Sequence, residues 1–159
     1  MVSIIRNFFN EIDVADEVKI GFDGLIVRIL AVDRSRYQAE AKVLHNGNIG
    51  LNKAIDITNK TVNLPPFTDF DIKCTAEAKS RKIKEIFVSF CRDAACIQSL
   101  KTLLIQSGWH RDNFPRIIAK IETKQGLLNL EKIINASDAI LVDRGDLSRE
   151  VKISMIPGI

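Results

Sequence analysis

The sequence has little excess charge of either sign, few cysteines and no long apolar run, and each shortage closes off a class of function. Lys and Arg number 23 against 20 Asp and Glu, leaving a net charge of only +3. That field is too weak to hold a polyanion, so nucleic acid is not an expected partner. The densest basic stretch, "KSRKIK" at residues 79–84, has no aromatic residue interleaved with it and reads as the solvated end of a helix. Three cysteines, Cys74, Cys91 and Cys96, form no C-x-x-C pair. An odd count with no signal peptide points to a reducing compartment, and a cytoplasmic location is expected. The start, "MVSIIRNFFNEI", is apolar but broken by Arg6, Asn7 and Asn10. It fits neither a secretory leader nor a membrane span, which needs about 20 apolar residues, so no membrane partner is expected. Internal repeats and low-complexity segments are also lacking.

What is there is an ordinary globular composition, 46% apolar and 27% charged over 159 residues, enough chain for one core. Two rhythms divide it. Residues 17–64 read as strands joined by hairpins. "EVKIGFDGLIVRIL" is β-branched and alternating, with Gly21 and Asp23-Gly24 as turn chemistry. "YQAEAKVL" sets Ala39, Ala41 and Val43 on one face and Gln38, Glu40 and Lys42 on the other. Asn46-Gly47 predicts a hairpin before the short strand "KAIDIT". Pro65-Pro66 then marks a boundary. Beyond it helices alternate with the short apolar runs "EIFVSF", "RIIAKI" and "DAILV". That alternation predicts parallel βαβ units with doubly buried strands. In "DAACIQSLKTLLIQSG", Ala95, Leu100, Leu103 and Leu104 are expected to share the buried helix face, with Gly108 at the stop.

Parallel α/β sheets and barrels gather functional groups at the C-terminal ends of their strands. Ser89 closes the first such strand; Lys120 and Glu122 close the second; Asp143, Arg144 and Asp146 follow the third. Residues two apart in a strand share a face, so Lys120 and Glu122 reach one spot, and Asp146 arrives one βα unit later at the neighbouring strand. Two carboxylates from adjacent strands suit Mg²⁺ or Mn²⁺ together with substrate oxygens and water. Lys120 would offer a positive charge to the anion that the metal also touches, and backbone N–H groups freed at Gly145 could take a carboxylate. A plain surface ion pair, worth at most about 1 kcal/mol, is also compatible with Lys-x-Glu at a strand end. His45, Trp109 and His110 lie away from the strand ends and read as structural. Cys91 and Arg92, just after "FVSF", stand closer to the site.

"IIAKIETKQG" followed by "INASDAILVDRGDLSRE" resembles the active-site segment of the pyruvate kinase family. The shared positions are Lys120, Ile121, Glu122, Gly126, Ala136, Ser137, Asp138, Arg144, Gly145, Asp146, Leu147 and Glu150. Upstream, "FVSFCRDAACIQSLKTLL" resembles the family's preceding strand and helix. "FDGLI" and "HNGNIGLNKAIDITNKTVNLP" resemble the later part of its small lid domain. The resemblance runs collinearly from about residue 14 onward. Asp143 departs from it, standing where a small residue is usual. Ser148 and Arg149 replace a glycine and an aliphatic residue, and "TKQG" replaces the usual Asn after K-I-E.

The resemblance implies an α/β fold: part of a small β-barrel lid over residues 1–64, then part of a TIM-type (β/α) barrel over residues 65–159. It implies phosphoryl transfer from phosphoenolpyruvate to ADP, giving pyruvate and ATP, the glycolytic kinase reaction. Glu122 and Asp146 would hold Mg²⁺ or Mn²⁺, and Lys120 would stabilise developing charge. Gly145 and Asp146 N–H groups would bind the substrate carboxylate, and Ser89 would line the pocket. The ligands of the family's K⁺ and its nucleotide contacts are expected outside this chain, so the isolated chain should be weakly active or inactive. Open sheet edges imply a homo-oligomer or a second chain that completes the barrel. The alternatives are a non-catalytic remnant or interaction scaffold, and a metal-dependent enolpyruvate lyase or aldolase with a similar barrel.

Overall fold

The computed structural model describes residues 6–21, 24–50, 53–58, 60, 62, 64–152 and 154. The chain divides into two compact units, Met1–Pro65 and Pro66–Ile159.

The first unit is an antiparallel sheet with one short helix. Strands β1 (Glu17–Ile20), β2 (Leu25–Asp33), β3 (Gln38–His45) and β4 (Ile55–Ile57) lie in the order β3-β2-β1-β4. Val18 and Ile20 of β1, Leu25 and Ile29 of β2, and Ile57 of β4 turn to one face and are buried. Phe8 and Phe9 of helix α1 (Arg6–Asn10), with Ile12 just after it, complete that core. Residues 8–12, whose apolar side chains suggested no element, thus supply cover for the sheet. The end of this segment is pinned by Arg34, which donates to the Ile12 carbonyl and pairs with Asp13 at 2.9 Å.

The hairpin predicted at Asn46-Gly47 does not form. β4 pairs with β1 rather than with β3, and the two strands occupy opposite edges of the sheet. Gly47 serves a different need: a Cβ there would stand 2.7 Å from the Leu25 side chain and 2.8 Å from its backbone nitrogen. A close approach to β2 excludes any side chain at this position. The alternation in β3 is present, but its residues are exposed on both faces apart from the half-buried Leu44. As an edge strand paired only with β2, it shows a helix no face, and its alanines have little surface to bury.

The second unit begins with α2 (Asp69–Ser80), whose cap Thr68 accepts from the Asp71 N–H while Asp71 accepts from the Thr68 N–H. This reciprocal pair satisfies orphan donors at the helix start. Strands β5 (Glu85–Val88), β6 (Arg116–Ile121) and β7 (Ala139–Val142) form a parallel sheet in the order β5-β6-β7. Helix α3 (Ala94–Gln106) connects the first pair. Helices α4 (Lys124–Leu128) and α5 (Leu130–Ala136) connect the second, and α6 (Arg144–Leu147) follows β7. The single helix expected between β6 and β7 is broken at Asn129, whose amide donates to the Arg92 carbonyl at 3.0 Å and to the Gln125 carbonyl. A side chain that bonds nearby backbone carbonyls competes with continued helix.

Ile117, Ala119 and Ile121 of β6 pack against Ile97, Leu100 and Leu104 of α3 and Ile133 of α5. Ala95 is exposed; Cys96 and Ile97 take the buried face in its place. Only the central strand is buried on both faces, by Ile118 on the side away from those helices. Phe87 in β5 is 50% exposed, and Ile140, Leu141 and Val142 in β7 are 36–39% exposed. Outer strands have a neighbour on one side only, so an apolar run is not enough to make them doubly buried. Trp109 is buried, its indole N–H donating to the Thr75 carbonyl at 3.3 Å. Among the described residues no helix is long and apolar enough to cross a membrane.

Candidate active site

Strand register assembles the site. Lys120 is level with Leu141 across the β6–β7 ladder. Two residues further along each strand, on the same face, stand Glu122 and Asp143. The pairing persists past the strand ends, because the Asp143 N–H donates to the Ile121 carbonyl at 3.1 Å and the Cys91 N–H donates to the Lys120 carbonyl at 3.2 Å. The loops after β5, β6 and β7 therefore leave the sheet side by side.

Glu122 is only 2% exposed, and both carboxylate oxygens are held. Oε1 accepts from the Lys120 ammonium at 2.5 Å, and Oε2 accepts from the Phe90 N–H at 2.5 Å. A buried carboxylate is tolerable only with such partners. Phe90 adopts φ +51°, in the left-handed region, and the turn it makes after β5 presents its N–H to Glu122. No sequence signal marks that donor, because the backbone supplies it. Phe90 as a residue is 47% exposed.

Lys120 bridges two carboxylates, reaching Asp143 Oδ2 at 3.1 Å as well as Glu122. Its pKa is raised, first by the hydrogen bond to Glu122, with partial burial opposing and Asp143 adding to the rise. Asp143 is held below the ordinary carboxylate range, chiefly by the hydrogen bond from Lys120. Its other oxygen, Oδ1, faces the N–H groups of Gly145 at 3.2 Å and Asp146 at 3.5 Å. The donors expected to receive a substrate carboxylate are thus turned toward Asp143.

Asp146 stands beside Arg149, with 3.7 Å between its Oδ1 and the guanidinium. Oxygens of Glu122, Asp143 and Asp146 all lie within 4.8 Å of one another. Such an all-oxygen donor set fits Mg²⁺ or Mn²⁺ and is a poor match for a soft metal. Glu122 and Asp146, the pair read from the sequence, belong to this cluster. Asp143, read from the sequence as a strand-end residue that departs from the family pattern, belongs to it as well. Ser89 follows β5 directly and is exposed.

Neighbouring residues fix the scaffold. Thr123 caps α4, accepting from the Gly126 N–H at 3.0 Å. A Cβ on Gly126 would meet the Cys91 carbonyl oxygen at 2.7 Å, so this glycine lets α4 approach the loop after β5. Glu150 accepts from the Lys124 N–H at 2.7 Å, tying the loop after β7 to the start of α4. Cys91 is fully buried, and burial pushes its thiol up to about 12, which leaves it unreactive. His45 ends β3, and His110 donates its backbone N–H to Asn113.

Comparison with known proteins identifies the family. A family model described as "Pyruvate kinase, barrel domain" matches residues 1–159. The pyruvate kinase of Aeropyrum pernix is 29% identical over 154 residues, covering 97% of this chain and 32% of that protein. The pyruvate kinase of Dictyostelium discoideum is 33% identical over 147 residues, covering 89% and 28%. That of Geobacillus stearothermophilus is 32% identical over 148 residues, covering 89% and 25%. The chain spans about a third or less of the length of these curated relatives. It belongs to the pyruvate kinase family.

Proposed function

We propose that the chain carries the metal and enolpyruvate side of a pyruvate kinase active site. The reaction is phosphoryl transfer from phosphoenolpyruvate to ADP. In this reading residues 1–64 are part of the lid domain and residues 65–159 are part of the (β/α) barrel. The observation that carries the proposal is the arrangement at the end of β6. There a buried carboxylate is clamped between a lysine and a backbone N–H, with Asp146 close enough to share a cation.

Glu122 and Asp146 are the assigned cation ligands. A divalent cation bound there would supply electrophilic stabilisation of the enolate and phosphoryl oxygens. Lys120 has three protons to donate, and two are directed at Glu122 and Asp143. The third serves the transferring phosphoryl group, where charge accumulates as the oxygen–phosphorus bond of the enolpyruvate breaks and the bond to ADP forms. Glu122 fixes the position of that ammonium, and the Phe90 N–H fixes Glu122. Gly145 and Asp146 N–H groups receive the substrate carboxylate once Asp143 moves from them, and Ser89 lines the same mouth. The nucleotide and K⁺ are assigned to residues outside this chain, supplied by a longer chain or a different partner. The 159 residues alone are accordingly weakly active or inactive. Cytoplasmic location follows from the same reading.

The test is thermal unfolding with Mn²⁺ and with Mn²⁺ plus oxalate, a planar mimic of the enolate. A ligand that binds only the folded form stabilises it by about 2.7 kcal/mol at a hundredfold excess over Kd. The melting temperature should rise with Mn²⁺ and rise further with oxalate, and Asp146→Asn should abolish both shifts. A cooperative melt indifferent to Mn²⁺ would favour the scaffold reading instead.

A further inference from the structure

The carboxylate of Asp143 is placed as a bound anion would be. One oxygen faces the Gly145 and Asp146 N–H groups, and the other pairs with Lys120. These are the donors that the functional reading above, on which this inference rests, assigns to the anionic substrate. We infer that Asp143 is a specificity-determining residue that competes internally with anionic ligands, so that the site accepts a divalent cation but holds a carboxylate ligand weakly.

Charge supports the same conclusion. Lys120 and Arg149 stand against Glu122, Asp143 and Asp146, so the cluster is net negative by one unit. A divalent cation brings it to a single positive charge; without Asp143 the loaded site would carry two. The side chain is tethered by its position between β7 and α6, so its effective concentration at these donors is high, and an incoming carboxylate must displace it. Asp143 is about one-third exposed, while Glu122 is buried and held from two sides. Of the two anions on Lys120, Asp143 is the more exposed and the one an incoming ligand can reach.

Asp143→Asn separates charge from shape, because asparagine also caps helix starts well and keeps an acceptor for the two N–H groups. Asp143→Ser removes the reach to Lys120 as well and provides a second variant should the first fold poorly. Mn²⁺ binding is read by electron paramagnetic resonance, and oxalate binding to the Mn²⁺-loaded full chain by calorimetry. The expected result is Mn²⁺ binding that persists but is weakened by the lost negative charge, and oxalate binding to the Mn²⁺-loaded chain that is tighter by about tenfold, a modest response to removing a like charge at contact range. Unchanged or weaker oxalate binding, with Mn²⁺ still bound, would overturn the inference and leave the functional reading standing. Loss of Mn²⁺ from the variants alone would make Asp143 a metal ligand, overturning its role as a competitor. Failure of the unsubstituted chain to bind Mn²⁺ would overturn the functional reading and the inference together.

Discussion

Gly126 and Asp143 show how single residues set the site. Gly126→Ala would push a Cβ against a backbone oxygen that cannot rotate away. The expected loss is about 1–3 kcal/mol of stability, measured by urea unfolding, as for other overpacked positions. Asp143 and Lys120 make a prediction in pH. Because Asp143 is depressed by its bond from Lys120, its contribution is complete above the ordinary carboxylate value and is lost as pH falls through its lower folded value. Because Lys120 is raised by its bond to Glu122, its contribution is complete below the ordinary lysine value and is lost as pH rises through the higher folded one. The stability difference between the unsubstituted chain and Asp143→Asn should therefore stay flat between about pH 5 and 9, narrow at about pH 4 and below as Asp143 protonates, and narrow again above about pH 10 as Lys120 loses its proton. A difference that closes near neutrality would mean that the pair does not exist in solution.

At the scale of elements, the strands of the second unit and helix α3 were legible because each carries an apolar run, and α3 also has an explicit stop. That stop, Gly108, adopts φ +81° just after α3. The buried helix face was shifted from the expected one, so the decisive substitutions are not all those that periodicity suggested. Leu104→Ala, at a fully buried position, should cost about 2–5 kcal/mol, while Leu128→Ala, at 78% exposure, should stay within about 0.5 kcal/mol. Comparable losses at both would contradict the assigned core. Two features could not be read from the residues. Asn46-Gly47 carries a local hairpin signal, but pairing of β4 with β1 is decided by contacts distant in sequence. The half-exposed outer strands look like the buried central one because composition records apolarity and not position in the sheet. In the site, Lys120, Glu122 and Asp146 were legible from strand-end logic and motif. The Phe90 donor was not, since any residue in that backbone conformation would supply it. Asp143 could have been placed by carrying the Lys120–Leu141 register two residues further.

For the whole molecule, each unit has its own apolar core, and the candidate site lies in the second, at the strand ends. The chain matches relatives three or more times its length. We propose it as one side of a catalytic centre, in which Glu122 and Asp146 hold a divalent cation beside Lys120. The most direct measurement is anomalous diffraction from crystals of this chain grown with Mn²⁺. The expected result is a peak bonded to carboxylate oxygens of Glu122 and Asp146, with the Lys120 ammonium adjacent and the peak absent in Asp146→Asn. A crystal saturated with Mn²⁺ that shows Glu122 still bound to Lys120 and Phe90, with no peak at the strand ends, would contradict it.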